Sequence, residues 1–126
     1  MKLRKDAVYE KVLKTVQKQF EKVQFDFQRF SEISFGNIKR EEVEDIMLLL
    51  IDEDIVVKIT EDIYTLKSII EKAKEVIQNR LKENPLITIA EVRDLLGTSR
   101  KSAKPILEYM DSIKVTKKNG TEYACS

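Results

Sequence analysis

The chain has 126 residues, 42% hydrophobic and 36% charged, with three glycines and two prolines; this suits one ordinary or two small, mostly helical domains and argues against a turn-rich sandwich or barrel. The net charge of +1 hides a split: residues 1–66 carry 11 Lys and Arg against 14 Asp and Glu, residues 67–126 carry 12 against 8, so −3 in one half and +4 in the other, which points to a polyanion partner for the second half alone. Histidine is absent and the one cysteine is Cys125, which excludes the commonest general base, the commonest metal ligand and an internal disulfide.

No apolar run has membrane length and no signal-peptide pattern opens the chain, so a reducing cytoplasm is the expected compartment. No cofactor and no metal are expected.

In chain order, Val8, Val12, Val16, Phe20 and Val23 recur at helical spacing. Phe27, Phe30 and Ile33 predict a second, shorter helix, and Phe35-Gly36-Asn37 a turn. A strong helix follows, with Val43, Ile46, Met47, Leu50 and Ile51 on one face. Ile55–Ile59 and Asp62–Leu66 are β-prone runs around Thr60-Glu61, an expected hairpin.

The second half opens on an amphipathic helix with Ile69, Ile70, Ala73, Val76, Ile77 and Leu81, ended by Pro85. Thr88-Ile89-Ala90-Glu91 has the form of a capping box. Ile89, Val92, Leu95 and Leu96 are expected to face inward, and Gly97 to stop that helix in the left-handed conformation. The next helix places Ala103, Ile106, Leu107 and Met110 inside and continues, bent, through Pro105 from a start near Ser99. Val115–Lys118 and Thr121–Ala124 flank Asn119-Gly120, a strong two-residue hairpin signal.

Two helices joined by a tight glycine turn, then a hairpin, make a winged helix. The expected fold is therefore mainly α with small β-hairpins (α+β): two tandem winged-helix domains, helix-turn-helix plus wing, at 1–66 and 67–126. Each half is read as helix, helix, helix, two strands.

The candidate site is the start of the last long helix. Gly97 to Lys118 holds six cations opposed only by Glu108 and Asp111. Arg100, Lys101 and Lys104 stand at a helix start beside Thr98, Ser99 and Ser102, where unpaired N–H groups and the helix dipole attract phosphate. Lys117 and Lys118 sit on the wing. The equivalent helix of the first half begins Lys39-Arg40-Glu41-Glu42 and continues Glu44-Asp45; its acids would repel a phosphate backbone, so the first domain reads as a spacer or protein-contact module. Phe20, Phe25, Phe27, Phe30 and Phe35 read as core rather than as a base-stacking platform, with only Lys22 and Arg29 close by in sequence. The Glu41–Asp45 run lacks the spacing of a calcium loop. Thr98-x-x-Lys101 is too short a pattern for a hydroxyl nucleophile with a lysine base, and no G-x-x-x-x-G-K loop occurs. A binding protein is expected, not an enzyme.

Three stretches carry a family resemblance: Glu91-Val92-Arg93-Asp94-Leu95-Leu96-Gly97-Thr98-Ser99-Arg100-Lys101, Pro105–Asp111, and Val115-Thr116-Lys117-Lys118 before a glycine. Together they resemble the C-terminal winged helix of bacterial selenocysteine-specific elongation factors (SelB type). Val56–Ile59 through Tyr64, and Lys74–Ile77, are similar to the preceding winged helix and connecting helix of that family. The resemblance implies the C-terminal part of a factor, a fragment beginning at Met1 without the GTPase that such factors carry. It implies an mRNA stem-loop, the selenocysteine insertion element, as partner. The ribosome and selenocysteinyl-tRNA are implied only indirectly, through the full-length factor. Ser99, Arg100 and Lys101 match the family's helix-start motif; Lys117, Lys118 and Gly120 match its wing. The expected RNA-binding set is thus Thr98, Ser99, Arg100, Lys101, Lys104, Lys117, Lys118 and Gly120, on a monomer. The family usually places an aromatic at Ser102, an aliphatic at Lys104, arginines at Lys117-Lys118 and an acid at Thr121. Lysines here supply point charges rather than planar forks. A DNA-binding winged-helix regulator and a protein-binding tandem winged-helix adaptor are the alternatives.

Overall fold

The computed structural model describes residues 6–120 and 122–125. The chain divides into two compact units, Met1–Lys67 and Ser68–Ser126.

The first unit opens with α1, Ala7–Val23. Asp6 caps it by accepting the Tyr9 N–H at 3.0 Å. Val12, Val16 and Phe20 recur every four residues and are buried against α2, Arg40–Asp52, which contributes Val43, Ile46, Met47 and Leu50. Strands β1, Val56–Thr60, and β2, Ile63–Leu66, form an antiparallel hairpin. Thr60 pairs with Ile63, so Glu61 and Asp62, not Thr60 and Glu61, link the strands.

The expected second helix of this unit is absent; only a 3₁₀ turn, Phe30–Glu32, lies there. The reason lies in the spacing. Phe27, Phe30 and Ile33 are three residues apart, the 3₁₀ period and not the α period. Asp62 ties this turn to the hairpin. Its carbonyl accepts the Phe30 N–H at 2.7 Å, and its carboxylate accepts the Ser31 hydroxyl, the Ser31 N–H and the Arg29 guanidinium. The Ser31 hydroxyl above all, then the Ser31 N–H and Arg29, holds the carboxyl below the usual carboxylate range.

Helix α3, Lys67–Glu83, starts directly after β2. The second unit continues with β3, Leu86–Thr88, α4, Ile89–Leu96, α5, Arg100–Ser112, β4, Thr116–Asn119, and β5, Glu122–Cys125. Strand β3 was not foreseen: three residues are too few to show a period. It pairs with β5, giving a three-stranded sheet in the order β3-β5-β4. The core gathers Ile77 of α3, Ile87 of β3, Val92 of α4 and Ile106, Leu107 and Met110 of α5, all fully buried. Leu95 is 45% exposed, against expectation. Ile89, Val92 and Leu96 form the inner line of α4, and at 3.6 residues per turn Leu95 points about 90° away from it.

The capping box is formed, with Thr88 accepting the Glu91 N–H and Glu91 accepting the Thr88 N–H. Gly97 ends α4 in the left-handed conformation, φ 64°. Helix α5 continues through Pro105 from its cap at Ser99. In the wing the link is shifted by one residue. Asn119 pairs with Glu122 and belongs to β4, while Gly120 takes positive φ, 68°. Thr121 lies outside the described residues.

Candidate nucleic-acid interface

Four inward residues, Ala103, Ile106, Leu107 and Met110, press α5 into its unit with no exposed surface. They hold the opposite side of the helix outward. Arg100, Lys101 and Lys104 are accordingly exposed, as is Ser99, while Thr98 is half-buried in the turn. Ser102 faces inward and is 3% exposed, so the position where the resembled family has an aromatic is internal and does not join the cationic surface.

The start of α5 differs from that of α4. Thr88 caps α4 with its side chain; Ser99 makes no side-chain cap bond, and no acid lies in the first turn of α5. The Ser99 carbonyl accepts the Ser102 and Ala103 N–H groups at 3.1 and 2.9 Å. That leaves the Arg100 and Lys101 N–H groups, ahead of these two bonds, beside the exposed side chains of Arg100, Lys101 and Lys104, an arrangement suited to phosphate oxygen.

The wing is tied to this helix by Asp111. Its carboxylate accepts the Thr116 hydroxyl at 2.9 Å and the Lys118 backbone N–H at 3.2 Å. Thr116 is 2% exposed, so the first of these bonds is partly sheltered, while the second lies at the surface. Asp111, counted from sequence as an opposing charge, is a positioning residue; the separation of five and seven residues gives no periodic signal by which sequence could show it. Lys117 pairs with Ala124 and Lys118 with Tyr123. Alternation along β4 puts the two lysines, both exposed, on opposite faces of the hairpin. Lys118 shares the face of Thr116 and Tyr123, toward α5. Burial foremost, then the nearby Glu108 and Asp111 charges, pushes the Tyr123 phenol up, which keeps it neutral in the core beneath the wing. Gly120 is exposed at the wing tip.

Among the described residues, Arg100, Lys101, Lys104, Lys117 and Lys118 form no ion pair. Arg93 pairs with Asp94, and Arg80 with the capping carboxylate Glu91. Arg80–Glu91 therefore ties α3 to the start of α4.

The first unit lacks such a surface at the same place. Glu41, Glu44 and Asp45 are exposed on α2, with Glu42 half-buried. Of its five phenylalanines, Phe20 and Phe30 are buried as expected, while Phe25, Phe27 and Phe35 are only half-buried; Phe30 meets Phe35 and Tyr64 at 5.7 and 5.1 Å between centroids. The cation that sequence reading missed there is Arg40, which lies 5.0 Å from the Phe30 centroid and 5.8 Å from that of Phe35.

Fold and surface together define a tandem winged-helix protein with a basic start to the recognition helix of its second unit. Residues 79–122 match the family described as "Elongation factor SelB, winged helix". The selenocysteine-specific elongation factor of Desulfomicrobium baculatum is 29% identical over 85 residues, 68% of this chain and 13% of that protein. The mRNA-binding domain of elongation factor SelB from E. coli, in complex with SECIS RNA, has the same fold, with a TM-score of 0.79 at 20% identity over 96% of this chain and 98% of that one. A crystal structure of the bacterial selenocysteine-specific elongation factor EF-Sec gives 0.70 at 18% identity, covering 96% of this chain and 18% of that one. The resemblance to SelB-type factors thus holds in sequence over the second unit and in fold over nearly the whole chain, while this chain spans about an eighth of the length of the Desulfomicrobium baculatum factor.

Proposed function

We propose that this chain is the RNA-binding C-terminal part of a selenocysteine-specific elongation factor and that its second unit grips an mRNA stem-loop, the selenocysteine insertion element. The observation that carries this reading is the set of unpaired, exposed cations at an uncapped helix start, on a chain that resembles SelB in fold and sequence. The loop's phosphates dock on Ser99, Arg100 and Lys101 beside the Thr98 turn. Lys104 and Lys118 flank them, and Lys117 and Gly120 form the outer wing. Discrimination comes from unpaired loop bases, because the A-form major groove is too narrow for side chains. The first unit, residues 1–66, serves as a spacer that holds residues 67–126 away from the rest of the factor. Ribosome and selenocysteinyl-tRNA are engaged through the complete factor in the cytoplasm, and the chain itself binds rather than catalyses.

The test is a titration with a selenocysteine-element hairpin against the same stem carrying a scrambled loop. The intact chain prefers the native loop, and with about four phosphates neutralised its log affinity falls with log salt at a slope of roughly −3. Arg100→Ala weakens hairpin binding about tenfold at unchanged thermal stability, a charge-assisted hydrogen bond being worth about 1.5–3 kcal/mol. Equal affinity for both loops, or an Arg100→Ala chain that binds as tightly as the original, overturns the proposal.

A further inference from the structure

Helix α1 carries a second cationic surface. Lys11, Lys14, Lys18 and Lys22 are all exposed. At 3.6 residues per turn their directions fall within an arc of about 80°, and at 1.5 Å per residue the row is about 16 Å long. Among the described residues none of the four forms an ion pair. Glu10 and Glu21 stand at one edge of the row, not within it. Helix α3 is the control: Glu71, Lys72, Glu75, Lys82 and Glu83 interleave the two signs along its exposed side. A solvated helix needs no segregation of charge, and α1 has it.

The same segregation explains why net charge concealed the feature. The acids of the first unit concentrate between Glu41 and Asp54, on α2 and the turn after it. Residues 1–66 are negative in sum, yet α1 presents a continuous row of four lysines with Glu10 and Glu21 at its edge.

We propose that this lysine row is a sequence-independent contact for the phosphate backbone of double-stranded RNA. The geometry favours that occupant over three others. A bilayer surface would need exposed apolar side chains to insert; the exposed residues of α1 are Ala7, Glu10, Lys11, Lys14, Gln17, Lys18, Glu21 and Lys22, and its apolar side is consumed by the core. A protein partner would need aromatic or arginine anchors, and lysine is depleted in such interfaces. Single-stranded RNA would need exposed rings on which bases stack, and Tyr9 and Phe20 of this helix are buried. A straight row of point charges suits a rigid, regularly spaced phosphate backbone. The contact is independent of loop recognition by the second unit and stands or falls separately from it.

The experiment uses the full chain and a blunt RNA duplex without a loop. Lys11→Gln, Lys14→Gln, Lys18→Gln and Lys22→Gln are combined, glutamine keeping the helix propensity. The variant retains its circular dichroism and thermal midpoint, binds the duplex at least about tenfold more weakly, and shows a salt slope shallower by about 3. The same loss occurs in a chain that already carries Arg100→Ala and Lys101→Ala, and the preference for a native over a scrambled hairpin loop survives in the quadruple variant. Unchanged duplex affinity and slope in the quadruple variant overturn the proposal. So does lysine-dependent binding to phosphatidylserine vesicles without any loss on the duplex.

Discussion

Helices α2 and α5 occupy the same place in two copies of one plan, and their surfaces are opposite in sign. The turns that follow them are nearly superposable in their bonding. Ile55 N–H donates to the Leu50 carbonyl at 2.9 Å, and Val115 N–H to the Met110 carbonyl at 2.8 Å. Asp54 and Lys114, one residue earlier, take left-handed φ of 60° and 63°, a position where glycine is the usual choice. Both helices then lead into an antiparallel hairpin. The helix starts diverge: Glu41 and Glu42 lie in the first turn of α2, while no acid lies in that of α5. The backbone plan is shared and the difference lies in the outward side chains, so fold alone assigns function to neither unit.

Charge reversal breaks this comparison most directly. Arg100→Glu with Lys101→Glu and Lys104→Glu lowers hairpin affinity by about a hundredfold or more, since each charge-assisted contact contributes about 1.5–3 kcal/mol. All three sites are exposed, so thermal unfolding stays where it was. Residual tight binding in a gel-shift titration would mean that the two helices do not differ in function as they do in charge.

The next effect concerns the wing. Aligning the two turns sets Asp111, whose carboxylate holds the second hairpin to its helix, against the apolar Ile51. Asp111→Ala removes two bonds to a charged acceptor and costs about 2 kcal/mol. RNA affinity falls about tenfold as Lys118 loses its fixed position, while Ile51→Ala leaves RNA affinity unchanged. Paired melting curves and titrations measure both.

The smallest effect is silent at neutral pH. In the first unit the Tyr9 hydroxyl donates to Glu53 at 2.5 Å, and burial first, then that bond and the Glu53 charge, pushes the phenol up to about 12. A raised folded value means that the stabilisation is complete below the ordinary value of 10 and is lost as pH rises toward 12. Chemical denaturation at pH 9 and pH 11 follows it: the first unit weakens over that interval, and Tyr9→Phe flattens the dependence.

Much of the molecule is legible in one dimension. The 3.6-residue apolar rows of α1, α2, α3 and α5, the capping box at Thr88 and Glu91, and the glycine stop at Gly97 depend on neighbours within one or two turns, and local physics is written locally. The candidate cations were found the same way, through their density after Gly97. The misses are non-local. Strand β3 exists only because β5 returns beside it from more than thirty residues away. Leu95 was misplaced because an eight-residue helix leaves the width of its inner face undetermined. Arg40 reaches Phe30 and Phe35 only after α2 has packed, and the lysine row of α1 was averaged away by acids that the fold carries to another surface.

By itself, then, the order of residues determined the helical rows, their caps, the tandem plan and the cluster of cations after Gly97. Tertiary structure alone decided that Asp111 tethers the wing, that Lys117 and Lys118 lie on opposite faces, and that Arg100, Lys101 and Lys104 form no ion pair among the described residues. Electrostatic potential depends on distances through space, and those are set when Ile106, Leu107 and Met110 are buried.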